Sequence, residues 1–302
     1  MSEKAPAEND KSPATIKYHA GFVSGLELLF WQYREQIDIV SEKWLSTEGI
    51  RMDVLILKKD PAAHLDFDIS RIFKGHNILE YKRPDDALNI DVFAKVMAYV
   101  NLYKSQGNTV NAISYNDISA TIYRHIYPRK ALRQLRKHGA DIEEKFPGVY
   151  YIGGMSPFPV QILVGSRLKP KEYAMFRVLR PNVSDEDIRN FLNLAVRNTD
   201  AAYRKSVGNI YQISSSANKE RYIRLMKEDS WMDEELRAVV HEVYKDDFEK
   251  TKIEGAIEIY QTEMNLKPVE IIDKIMKRFS LDRDIASKYV EESLESLSAY
   301  GK

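Results

Sequence analysis

The segment Met52-Asp-Val-Leu-Ile-Leu57 constrains this chain more than any other. Side chains alternate across a strand, so a run that is apolar at odd and even positions alike suits an interior strand covered on both sides. Asp53 is its one interruption. A carboxylate buried in such a strand is costly unless it is paired or bound to a cation, so this residue asks for partners elsewhere in the chain.

The partners are found after a polar loop containing Pro61, Asp66 and Asp68, where Asn77-Ile-Leu-Glu-Tyr-Lys82 reads as a second short strand that Pro84 ends. Glu80 and Lys82 stand at alternate positions, so both emerge on one face while Leu79 and Tyr81 go to the other. Leu55 and Leu57 share the face of Asp53. If the strands lie side by side, two carboxylates and an ammonium converge on one patch of the sheet. The plainer alternative is an ion pair between Glu80 and Lys82 on an edge strand, with Asp53 capping a turn.

Around these strands the order is helix, three strands, helix, strand. Phe22, Leu26, Leu29, Phe30 and Tyr33 recur at helical spacing, which predicts a first helix ending near Arg34. Ile37, Ile39 and Val40 open the first strand, and Thr47 to Gly49 reads as a turn. Asn89 can cap a helix whose Phe93, Val96, Met97, Val100 and Tyr103 share one face, with Gly107 as its stop signal. Thr109 to Tyr115 is read as the fourth strand, and the helical connection before it implies a parallel crossover. Val149 to Ile152 and Val160 to Leu168 predict further strands, which would carry an α/β core with a mixed sheet to about residue 180.

Flanking segments differ in character. Residues 1–16 lack periodicity and are expected to be a disordered tail. From 181 to 302 the pattern turns helical: Ile188, Phe191, Leu192 and Ala195 make one stripe, and Leu236, Val239, Val240 and Val243 another. Pro268 starts a helix bearing Ile271, Ile272, Ile275 and Met276, and a turn at Ser280 to Asp282 leads to a last helix with Ile285, Tyr289 and Val290. That pair predicts a hairpin for docking or for a homodimer.

Composition removes several classes of function. Cysteine is absent, which excludes disulfides, thiolate nucleophiles and zinc sites with sulfur ligands, and is compatible with a cytoplasmic location. No apolar run approaches the ~18 residues that span a bilayer. The 45 basic and 45 acidic side chains cancel, so any contact with nucleic acid must come from a local patch. The six histidines are scattered, Gly153-Gly154 lacks the setting of a phosphate-binding loop, and no Gly-X-Ser-X-Gly elbow is present.

The pattern of Met52-Asp53 on one strand and Glu80-Tyr81-Lys82 on the next resembles the PD-(D/E)XK nuclease superfamily, with its restriction-endonuclease-like fold. More narrowly, GIRMDVLILKKD followed by RIFKGHNILEYKRPDDALNIDVFAKVMAYVNLYK resembles the nuclease-family transposase group, related to bacterial recombination-promoting nucleases. The narrower likeness covers roughly residues 18 to 115. It implies that Asp53 and Glu80 are metal carboxylates, that Lys82 is the catalytic lysine, that the backbone carbonyl of Tyr81 is a further ligand, and that Glu27 supplies an additional acidic group. Met52 stands where the motif customarily has Pro, which leaves the ligands untouched. Oxygen ligands of this kind suit Mg²⁺ or Mn²⁺.

One basic segment could meet the backbone of a nucleic acid. Arg124, Arg129, Lys130, Arg133, Arg136 and Lys137 lie in a stretch with no acidic residue, and several of them can share a helix face. A solvated face paired with acidic neighbours is the competing reading. The function expected from these features together is a divalent-metal-dependent DNA endonuclease, acting in mobile-element recombination or defence. The alternatives are an inactive nuclease fold that binds nucleic acid or protein, and an interaction module that uses neither DNA nor metal.

Overall fold

In the computed structural model, residues 17–45, 51–60, 62–227 and 266–300 are described, with isolated positions between 228 and 265. The chain divides into two compact units, residues 1–226 and 227–302. The first is α/β. Helix α1 (Tyr18–Leu29) precedes strands β1 (Ile37–Trp44), β2 (Arg51–Lys58) and β3 (His76–Lys82); helix α2 (Ile90–Lys104) leads to β4 (Ile118–Arg124) and helix α3 (Arg129–Lys137) to β5 (Asp141–Phe146), β6 (Val149–Gly153) and β7 (Val160–Val164). Helices α4 (Ala174–Arg177), α5 (Asp185–Leu192), α6 (Ala201–Ala217) and α7 (Lys219–Lys227) follow.

The seven strands form one mixed sheet in the order β1-β2-β3-β4-β7-β6-β5. Its centre, β3-β4-β7, is parallel, and both flanks are antiparallel. As the sequence requires, β2 and β3 are interior and covered on both faces. Leu55, Ile78, Ile122 and Ile162 pack into one core with Phe93, Val96 and Val100 of α2 and Leu132 and Leu135 of α3. On the opposite face Phe22 of α1 meets Tyr81 at 4.8 Å, Tyr123 at 5.0 Å and Phe176 at 5.3 Å between ring centroids. Gly25 permits that approach, since a Cβ there would fall 2.7 Å from the Phe176 ring.

Local signals account for several boundaries. The Asn89 side chain accepts the Val92 N–H and caps α2, as expected from the sequence. α1 ends at Leu29, and a 3₁₀ turn over Trp31–Tyr33 carries the chain on toward Arg34. The fourth strand corrects the sequence reading. Thr109 to Tyr115 forms turns, with Asn111 at φ +60°, and the strand begins at Ile118. Ser114 caps a 3₁₀ turn over Tyr115–Asp117 by accepting the Asn116 N–H, which holds this segment out of the sheet, while Ile118–Arg124 is buried at every position but the last.

The boundary expected after residue 180 falls instead at 226. Helix α6 packs along α1, so the apolar stripes of the helices after residue 180 complete the cover of the first unit. In the second unit, α8 (Pro268–Phe279) and α9 (Arg283–Tyr300) form the expected pair, with Ile271, Ile275, Ala286 and Val290 at their shared core. Ser280 makes the turn between them at φ +55°. The expected stripe at Val239, Val240 and Val243 and the turn at Thr47 to Gly49 lie outside the described residues. No described helix is long and apolar enough to cross a membrane.

Candidate functional site

The ladder between β2 and β3 runs from Leu57↔His76 to Val54↔Leu79 and stops there. One step further along the same register Asp53 faces Glu80, and a directly opposed pair projects to one side of a sheet. At this point the Asp53 side chain replaces the ladder: its Oδ2 accepts the Tyr81 N–H at 2.9 Å. A strand residue turns its N–H and C=O to the same edge, so the Tyr81 carbonyl faces the same opening. Glu80 is 5% exposed. Its Oε1 accepts from Lys82 Nζ at 2.6 Å.

Burial first, and then the charge of Asp53, push the Glu80 carboxyl above its ordinary range, against the hydrogen bond and charge of Lys82 and the charge of Lys95. Lys95 projects from α2, which covers this face of the sheet. Its ammonium is raised by the Tyr99 side chain and, further, by Glu80 and Asp53. The result is a patch of converging oxygen atoms in which two acids repel and two lysines offset them.

The structure thus brings Asp53, Glu80, Lys82 and the Tyr81 backbone together and adds Lys95. Lys95 escaped sequence reasoning because it lies outside the apolar stripe of α2, and only the docking of that helix on the sheet carries it to the carboxylates. Glu27 is a correction. α1 packs on the Tyr81 face of the sheet, opposite to Glu80, and the Glu27 Oε2 accepts from Ser206 Oγ at 2.7 Å. There it lines a separate cleft of about 510 Å³ with Ser24, Lys205 and Asn209.

Among the described residues no group of three or more acidic or histidine side chains gathers as a metal cluster. The donor set here fits a hard ion that takes few protein ligands: one oxygen of Asp53 and one of Glu80 are spent on Tyr81 N–H and Lys82, and the other oxygen of each has no hydrogen bond among the described residues. Mg²⁺ commonly uses one or two carboxylates and keeps waters. Arg124 ends β4 at the register position of Lys82, and its half-buried guanidinium leaves Nε without a hydrogen-bond partner among the described residues. Beyond it Arg129, Lys130, Arg133, Arg136 and Lys137 are exposed along α3, whose apolar side is Ala131, Leu132 and Leu135. Comparison with family models, with curated proteins and with solved structures gives no match.

Proposed function

We propose that the protein is a divalent-metal-dependent DNA endonuclease with Asp53, Glu80 and Lys82 at its centre. The observation that carries the reading is Glu80: a buried carboxylate placed opposite a second one, where the ladder opens and the acids outnumber their hydrogen-bonded lysine. Such an arrangement costs stability in the bare protein and becomes favourable when a cation occupies it. Asp53, Glu80 and the Tyr81 carbonyl would hold Mg²⁺ or Mn²⁺. Bound there, the ion supplies Lewis acidity toward water and phosphate oxygens.

The chain's own residues have distinct tasks. Lys82, anchored by Glu80, presents its ammonium at the edge of the site, where it orients the attacking water and stabilises charge that grows on the phosphodiester. Lys95 adds positive charge from the α2 side. The exposed basic side of α3 supplies contacts to backbone phosphates. The resemblance to the nuclease-family transposase group supports a role in mobile-element recombination or defence. Exposed Val269 and Ile285 on α8 and α9 support self-association through the C-terminal helices.

Purified protein is expected to nick or cut plasmid DNA with Mg²⁺ or Mn²⁺, and Asp53→Ala or Lys82→Ala is expected to lower the rate by about 10²–10⁴-fold. Equal cutting by the folded variants and the parent overturns the assignment. A second reading, nucleic-acid binding without cutting, is favoured by α3, whose five exposed basic residues make no ion pair among the described residues. Salt-dependent DNA binding without cleavage under either metal selects it.

A further inference from the structure

A second cleft, of about 800 Å³, opens beyond the C-terminal ends of the parallel strands. Arg83 directly follows β3, His125 directly follows β4, and Ser166 lies just past β7. Crevices outside the carboxyl ends of strands are where open α/β sheets take ligands, and this volume lies in the range of small-molecule sites. The alternation of side chains separates it from the carboxylates by one sheet thickness. Glu80, Lys82 and Arg124 face α2 and α3, whereas Tyr81, Arg83, Tyr123 and His125 face α1. The loop after Lys82 crosses between the two sites and runs to the α2 cap at Asn89.

The lining favours a flat heterocycle over a phosphate. Arg180 is held by its neighbours, and Arg83 shares its side of the wall with the carboxylates of Asp85 and Asp86, which disfavour an anion. Arg180 reaches Asp187 at 3.3 Å and the carbonyls of Pro181 at 3.3 Å and Asn182 at 2.6 Å, and Arg83 reaches Asp86 at 3.5 Å and Asp85 at 3.7 Å. His125 is 7% exposed; its Nδ1 is closed off beside Gly165 with no hydrogen-bond partner among the described residues, so Nε2 is the ring nitrogen that a ligand can meet. Burial first, and then Arg180 and Arg177, lower the ring to about 4, so it is neutral near pH 7 and Nε2 offers a ligand a single donor or acceptor, set by the tautomer. Pro84, Pro181 and the 52% exposed Ile126 add apolar surface. A neutral imidazole between apolar walls suits the edge and faces of a base.

We propose that this cleft takes an unstacked nucleobase from the DNA strand whose phosphodiester lies at Asp53, Glu80 and Lys82. The assignment rests on the endonuclease reading and deepens it, giving the site a means to prefer distorted or unpaired DNA, where extrusion of a base costs least.

The test uses full-length Asp53→Ala protein, with Mg²⁺, and duplexes carrying 2-aminopurine at successive positions. A fluorescence rise on binding is expected at one or two neighbouring positions, larger when the base opposite is mismatched. Ile126→Glu, a change at an exposed position, is expected to weaken the binding that gives that signal about tenfold, in line with the loss of one buried aliphatic contact on the face of the base. His125→Leu should do the same, and the surface variant keeps the test valid if that buried change impairs folding. Binding of the free 2-aminopurine deoxynucleotide, read by fluorescence anisotropy, with no rise at any duplex position overturns the assignment to a base within a strand. Plasmid cleavage by the parent protein with no rise at any position overturns the cleft assignment and leaves the nuclease reading standing. A rise abolished by Ile126→Glu, from a parent that cuts nothing, supports the cleft and removes hydrolysis.

Discussion

Asp187 and Glu80 are both buried carboxylates of the first unit, at 2% and 5% exposure, in surroundings of opposite design. Asp187, in the first turn of α5, is closed on every side. Arg177 Nε donates to its Oδ1 at 2.5 Å, Arg177 and Arg180 both reach Oδ2 at 3.3 Å, and its own N–H is taken by the Ser184 cap. Glu80 has one lysine on one oxygen and a second acid opposite. The contrast separates a carboxylate satisfied on both oxygens by cations of its own chain from one that faces a second carboxylate. Two arginines meet one acid at Asp187, whereas two acids share two lysines around Glu80.

Substitutions can break this contrast. The largest effect is expected at Asp187→Ala, which leaves Arg177 and Arg180 facing each other without their acid and should cost about 3–5 kcal/mol in urea unfolding. A loss under about 1 kcal/mol would show that the cluster does not bind α4 to α5.

Next comes His125, which lies beside the same arginines. Its folded value, about 4, is below the ordinary 6.5, so the neutral ring contributes stability that is complete above pH 6.5 and is lost as pH falls toward 4. The expected loss across that window is of order 3 kcal/mol. His125→Gln should show a shallower decline than the parent protein when unfolding is followed from pH 7 to 4.5, and parallel curves would contradict the neutral buried ring.

A smaller change, Ser184→Ala, removes only the cap and should cost about 1 kcal/mol, read as a shift in the urea midpoint with unchanged slope. Glu80→Gln is the smallest and has the opposite sign. Because the Glu80 carboxyl is raised, the metal-free protein is more stable below the ordinary carboxylate range and loses that advantage as pH rises through the raised value. At pH 8 without divalent ions the Gln variant should therefore melt slightly higher than the parent, and Mn²⁺ should raise the parent's Tm while leaving the variant's in place. A drop in Tm for the metal-free variant would make Glu80 a second Asp187.

Much of the site was legible because it lies on strands. The two-residue repeat puts Glu80 and Lys82 on one face whatever the rest of the chain does, and the apolar run around Asp53 demands an interior position. The fourth strand was misread because Thr109–Tyr115 carries apolar residues at suitable spacing, while the side-chain caps and the positive φ of Asn111 that make it a turn are geometric facts. Glu27 was misassigned for a related reason: helical periodicity says which side of α1 is apolar, but gives no information about which face of the sheet receives it.

The sequence by itself determined an α/β unit with interior strands β2 and β3, a capped α2 and a last helical pair, since hydrophobic period, capping groups and turn residues act over a few positions and need no distant partner. Tertiary structure decided that the β2–β3 ladder opens where Asp53 meets Tyr81, that Lys95 joins the acids, that Glu27 leaves for Ser206, and that three strand ends enclose the His125 cleft. Those outcomes depend on which layer docks on which face of the sheet, a choice set by the summed packing of surfaces far apart in the chain.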